Sequence, residues 1–173
     1  KIPAVSQIDN FIISSTNDYW IKSDKTGYYS YNPATNLLVP YPQVNSNQPF
    51  GKKQPFLEDS KGNIWLPGQD GAITIVHKAA NKLDSITINP GGAKIICTFL
   101  FEDKQGVFWI GTENGFVKIR IANNDFSLPQ VQWFFNNSSD RNSLNYNFVS
   151  CFLDDPSSPE RFIWIATKGG GLN

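Results

Sequence analysis

Three pairs of adjacent carboxylates, Glu58-Asp59, Glu102-Asp103 and Asp154-Asp155, are the residues whose types could do acid–base work. Two carboxylates flanking a scissile bond can divide the roles of general acid and general base. These pairs, however, recur at one place in a repeating pattern, which a single active site would not require. The expected role is local: an Asp that closes a turn by accepting hydrogen bonds from backbone amides. His77, the one histidine, ends the β-branched run 73–76 with no His or Cys at ligand spacing. It is predicted to be a solvent-facing strand residue, not a base or metal ligand. Cys97 and Cys151 lie in apolar runs and form no CxxC pair, so they read as buried, inert thiols. Asp59-Ser60-Lys61-Gly62-Asn63 lacks the alternating acidic ligands and the bidentate Glu of a calcium loop. Gly169-Gly170-Gly171 has no following Lys-Ser/Thr pair and reads as turn glycines at positive φ, not a phosphate cradle. No catalytic residue, metal site or cofactor is expected.

The elements that hold these residues repeat. Residues 56–65, ending in Trp65, match residues 100–109, ending in Trp109, position by position, and each continues to a Gly six residues past the Trp. A later copy opens at Phe152-Leu153-Asp154-Asp155, where three extra residues within 156–161 delay the aromatic to Trp164, followed by Gly170. A degenerate first copy runs from Phe11 to Trp20, with its Gly27 one place late. The tryptophans are spaced by 45, 44 and 55 residues, and Trp133 falls outside the register as a separate packing residue. Within the third copy, 95–102, 107–110, 116–121 and 131–135 read as strands, Asn114-Gly115 is an Asn-Gly hairpin signal between the second and third, and no stretch has capped helical periodicity. A period near 44 with one Trp per unit predicts an all-β fold of β-propeller blades, four-stranded antiparallel sheets. The Trp would fill the space between adjacent sheets. Blades are expected at about 8–50, 51–92, 93–136 and 137–173, the last incomplete after its second strand. The chain is then about three complete blades and a partial fourth, a fragment of a larger propeller, since even small rings need roughly four.

Composition agrees. Fifteen basic and 15 acidic residues give zero net charge, 17% of residues are charged, and 14% are aromatic. Such a chain has enough apolar surface to order itself, and nothing in its charge suggests a nucleic-acid partner. No apolar run approaches the roughly 18 residues of a membrane helix, so no membrane contact is expected of this segment. The start, Lys1-Ile2-Pro3-Ala4-Val5, has no initiator Met and no signal-peptide pattern, and reads as part of a longer polypeptide.

The run Glu102 to Gly115, Glu-Asp-x-x-Gly-x-x-Trp-Ile-Gly-Thr-x-x-Gly, resembles the two-component-regulator propeller repeat. Residues 164–173, with their Gly-Gly-Leu-Asn ending, and residues 143–149 before the fourth copy resemble it too. Pro67-Gly68 departs from the pattern where Gly-Thr is expected. The resemblance implies the periplasmic sensor region of a bacterial hybrid two-component system. The parent would carry a histidine kinase module, signal through a homodimer and answer to an oligosaccharide.

In a propeller, the turns between second and third strands and the connections between blades share one face. Candidate ligand-binding residues there are Gln69, Asp70, Glu113, Asn114, Arg141, Asn142 and Lys168. The connection 136–143 is rich in amides and hydroxyls that suit sugar hydroxyls. The function expected is non-enzymatic ligand sensing, with the remaining blades of the propeller as partners. The alternatives are a fragment of a propeller hydrolase or lyase, and a pure protein-interaction scaffold.

Overall fold

The computed structural model describes residues 7–23, 27–42, 44, 55–68, 71–89 and 94–173. Among these described residues, fifteen strands form four antiparallel meanders, each in simple sequence order. The first sheet comprises β1 (Asn10–Ile13), β2 (Tyr19–Ser23), β3 (Gly27–Asn32) and β4 (Leu37–Tyr41). The second comprises β5 (Leu57–Glu58), β6 (Ile64–Pro67), β7 (Ala72–His77) and β8 (Lys82–Thr87). The third comprises β9 (Cys97–Glu102), β10 (Phe108–Thr112), β11 (Gly115–Arg120) and β12 (Gln130–Phe134). The fourth holds β13 (Val149–Asp154), β14 (Ile163–Thr167) and a two-residue β15 (Gly171–Leu172). A third strand has therefore begun in the last sheet, one more than the sequence suggested. Two single 3-10 turns, Lys78–Ala80 and Ala122–Asn124, are the helical segments among the described residues.

The sheets pack face to face through the recurrent aromatics. Trp65 of β6 is fully buried and stacks on Phe108 of β10, with centroids 4.0 Å apart. Trp109 of β10 meets Phe152 of β13 at 6.0 Å, and Trp20 of β2 clusters with Ile64 and Leu66 of the second sheet. Trp164 of β14, the last of the series, is 41% exposed. The second and third sheets each bury both faces, one against each neighbour, so stability is shared along the stack.

Meander geometry places the β1–β2 and β3–β4 turns, and their repeats, at one end of every sheet. The β2–β3 turns and the connections between sheets lie at the other end. Backbone bonds tie that second end together: Glu113 N donates to Ile96 O (3.2 Å), Gly115 N to Asn147 O (2.7 Å) and Lys168 N to Phe148 O (2.8 Å). Among the described residues, the loops of the third and fourth sheets are thus joined at this end.

Candidate functional site

The acidic pairs sit at the end opposite this loop face, and the oxygens of their second members, Asp59, Asp103 and Asp155, are occupied. Asp59 Oδ1 accepts from Lys61 N (3.0 Å) and Asn63 N (2.8 Å), closing the β5–β6 turn as expected. Its Oδ2 also accepts from the Trp65 indole Nε1 at 3.0 Å. Asp103 repeats this with Gln105 N, Val107 N and Trp109 Nε1, and Asp155 with Ser157 N, Ser158 N and Trp164 Nε1. The turn bonding was readable from sequence; the Asp-to-Trp link, six residues apart in two copies, was missed although both residues recur in register.

The glutamates do something else. Glu102 reaches the preceding sheet and accepts from Ser60 N (2.5 Å) and Ser60 Oγ (2.8 Å). Glu58 grips Ser15 in the same way, at 2.7 Å for both contacts, and also pairs with Lys78 at 2.9 Å. Burial pushes the Glu58 carboxyl up, but the bonds from Ser15 and Lys78 outweigh it and hold the group below its usual value. Asp154, one methylene shorter, leaves its buried Oδ1 without a partner among the described residues.

His77 is not solvent-facing. Its Nδ1 lies 2.9 Å from Asn63 Oδ1, its Nε2 2.9 Å from Asp84 Oδ2, and Phe126 of the third sheet covers the ring edge-on at 4.8 Å. The nine-residue β11–β12 connection, which brings Phe126 across, gave no such signal in the sequence. Cys97 is buried, which pushes its thiol up to about 12. Cys151 is only half-buried. In the glycine run, Gly169 and Gly171 take positive φ (113° and 77°) but Gly170 does not. Gly171, not Gly170, pairs with Thr167 as Gly115 pairs with Thr112, because the last β14–β15 turn is one residue longer. Gly170 is required for room: a Cβ there would stand 2.7 Å from Thr167 Oγ1 and 2.8 Å from Tyr146 Cβ.

On the loop face, Gln69 and Asp70 lie outside the described residues. Glu113 and Asn114 form the β10–β11 turn, whose shape is set by Thr112: its hydroxyl donates to Gly115 O (2.8 Å) and accepts from Asn114 N (3.0 Å). Their side chains border a groove of about 480 Å³ with Asn89, Lys94, Trp133 and Phe135. Trp133 is pinned by donating Nε1 to Ile88 O (2.8 Å), and Phe135 lies parallel to it, 2° apart in plane, with centroids 5.4 Å apart. Phe135 is 47% exposed. The groove therefore offers an aromatic wall beside a carboxylate, amides and an ammonium.

Arg141, Asn142 and Lys168 do not join that groove. Arg141 is exposed, and Asn142 borders an adjoining depression, beside Asp140 and Ser143, that shares Trp133 and Phe135 with the groove. Lys168 is exposed and stands 5.3 Å from the Phe148 ring centroid. Much of the polar richness of residues 136–143 is spent internally. Asn136 Nδ2 donates to Leu144 O, Asn137 Oδ1 accepts from Ser139 N, Asp140 Oδ1 from Asn142 N, and Ser143 Oγ donates within the loop. Trp133 and Phe135 were not singled out for binding; their i, i+2 spacing, which puts both on one strand face, was the available signal.

Comparison with known proteins bears on this architecture. The family model described as two component regulator propeller matches residues 94–114, the segment from the lead-in of β9 to the β10–β11 turn. No curated protein matches. Among solved structures, the chain is similar to the extracellular domain of a protein described as a hybrid two component system of B. thetaiotaomicron. The identity there is 22%, the coverage 98% of this chain and 21% of that one, and the TM-score 0.72. PorZ, a surface component of the type-IX secretion system of Porphyromonas gingivalis, matches at 15% identity over 98% of this chain and 26% of its own, TM-score 0.67. Virginiamycin B lyase of Staphylococcus aureus matches at 15% identity over 99% of this chain and 56% of its own, TM-score 0.64. The four sheets are propeller blades, and the chain spans about a fifth of the length of the two-component neighbour.

Proposed function

We propose that this chain is the ligand-binding part of a non-enzymatic propeller in the extracytoplasmic, periplasmic region of a hybrid two-component sensor, and that its ligand is an oligosaccharide. The match over residues 94–114 supports the sensor assignment. The observation that carries the binding assignment is the loop-face groove. The parallel rings of Trp133 and Phe135 suit the C–H face of a pyranose, and Glu113, Asn114 and Asn89 can pair with its hydroxyls. Binding would bias one arrangement of a homodimer over another and so the output of a kinase module elsewhere in the protein, a population shift that requires different affinity for the two arrangements.

The test is calorimetry on the complete extracytoplasmic region with a panel of neutral and acidic oligosaccharides. One member should bind, and Phe135→Ala and Asn114→Ala should each weaken it about tenfold, equal to about 1.4 kcal/mol. Absence of binding heat across the panel would favour a scaffold instead. A lyase reading has the virginiamycin B lyase likeness behind it. Against it stands the use of His77 and the turn aspartates as structural partners at the end away from the loops. Turnover of any panel member, assayed by product release, would reverse that preference.

A further inference from the structure

The packing between the first and second sheets lacks parts that the packing between the second and third sheets has. Trp65 is covered by two rings of the third sheet: Phe108 stacked at 4.0 Å and Phe126, from the β11–β12 connection, at 6.2 Å. Phe126 is itself buried, and it also contacts His77 at the end of β7. In the first sheet, Trp20 stands where Trp65 does and Asn32 where His77 does, by strand register. Facing them, the second sheet offers Ile64 in place of Phe108. In place of the long β11–β12 connection it has only residues 78–81, which carry no aromatic ring.

What remains is a cavity of about 310 Å³ between the outer strands, bordered by Trp20, Asn32, Leu37, Val39, His77 and Leu83. Its apolar rim is open to solvent: Leu37 is 58%, Val39 36% and Leu83 43% exposed. Trp20 is buried, yet its Nε1 has no acceptor among the described residues, unlike the other three register tryptophans. A buried indole N–H without an acceptor is destabilising.

We infer that this wedge is a second binding site, whose occupant is a small monocyclic aromatic molecule bearing a hydrogen-bond acceptor such as a phenolic oxygen. The ring class follows from the phenyl group of Phe126, which fills the corresponding space one sheet on. The polar substituent follows from Lys82 and from the Asn32 amide, whose Nδ2 gives one proton to Asp18 Oδ1 (2.7 Å) and carries a second; the His77 ring is already held by Asn63 and Asp84 and adds only contact surface. Leu37, Val39 and Leu83 supply the apolar contact surface. The site is separate from the loop-face groove: no residue is shared between them.

The experiment uses 4-bromophenol. Crystals of the complete protein soaked in it should show an anomalous bromine peak between Leu37 and Leu83, and calorimetry in solution should give a saturable isotherm. Leu83→Glu, a change at an exposed position, should weaken that isotherm at least tenfold while leaving oligosaccharide binding at the loop face intact. A second variant, Val39→Glu, should do the same from the opposite wall. No bromine peak in the wedge, or a peak with an isotherm unchanged in both variants, would overturn the inference.

Discussion

Trp65 Nε1 donates to Asp59 Oδ2 at 3.0 Å, joining the turn that opens a sheet to the aromatic that packs it against the next. The same carboxylate holds Lys61 N and Asn63 N, so one residue fixes the turn and the indole orientation together. Asp59 is 5% exposed, which makes each of these donors expensive to abandon. Asp59→Ala should therefore destabilise the fold by about 2–4 kcal/mol, more than one ordinary hydrogen bond, because a buried N–H is left unpaired. Urea unfolding measures this, and a loss below half a kcal/mol would show that water replaces the carboxylate.

The first copy tests the same relationship in reverse. Ser14 occupies the place of Asp59; its Oγ reaches Asp18 N at 3.2 Å, and Trp20 Nε1 is left unpartnered among the described residues. Installing the carboxylate by Ser14→Asp should satisfy the indole, provided that Asp18, at the position of Asn63, is changed to Asn to remove like-charge repulsion. The double variant is expected to gain about 1 kcal/mol in urea unfolding, with Ser14→Asp alone gaining less. If the double variant is no more stable than wild type, the missing carboxylate is not what leaves Trp20 unsatisfied.

These cases mark what could be read from sequence. The Trp register, the acidic turns and the Asn-Gly hairpin at Asn114-Gly115 are local signals, and they placed the strands of the third sheet to within two residues. The links between sheets were not legible. Glu102 meets Ser60 across 42 residues, and nothing in either local pattern distinguishes a carboxylate facing the neighbouring turn from one facing water. The site was half legible for the same reason. Glu113 and Asn114 are legible because turns carry ligands, but the aromatic wall beside them is Trp133 of β12, which belongs to no repeat, and Phe135 just after that strand. Conversely, the amide-rich 136–143 stretch looked available and is largely bonded to itself.

Glu58 gives a pH dependence with a definite sign. Its carboxyl is held below the usual value by Ser15 and Lys78, so the charged form is favoured in the fold. Stability from this source is present above the unfolded glutamate value of about 4.3 and is lost as pH falls through the lower folded value. Wild type and Glu58→Gln should accordingly differ in unfolding midpoint at neutral pH and converge as the pH drops through the acid range below 4.3. A difference that persists undiminished into strong acid would mean that the grip on Ser15 does not depend on charge.

Cys97 and Cys151 should part company under alkylation. Burial of Cys97 in β9 pushes its thiol to about 12, and the residue is 2% exposed, so both the nucleophilic form and access are suppressed. Iodoacetamide at mildly basic pH should label Cys151 in the folded protein and Cys97 only once urea opens the third sheet. Peptide mass mapping distinguishes the two. Native-state labelling of Cys97 at the Cys151 rate would mean that β9 and its neighbours open locally.

Gly115 joins stability to the loop-face site. Its φ is +94°, and a Cβ there would lie 2.3 Å from Phe134 O and 2.8 Å from Phe135 Cδ1. The first contact is backbone and cannot swing aside, since Phe134 is paired with Phe116 in the β11–β12 ladder. Gly115→Ala should thus cost about 2–4 kcal/mol and displace Phe135, weakening oligosaccharide binding along with the fold. Gly62 provides the comparison: its φ is +77°, but the nearest atom to an added Cβ is Glu58 Oε1 at 3.9 Å. Gly62→Ala carries the backbone strain without the collision and should cost only about 1 kcal/mol. Thermal unfolding of the two variants separates the terms, and equal losses would mean that the close approach at Gly115 relaxes without cost.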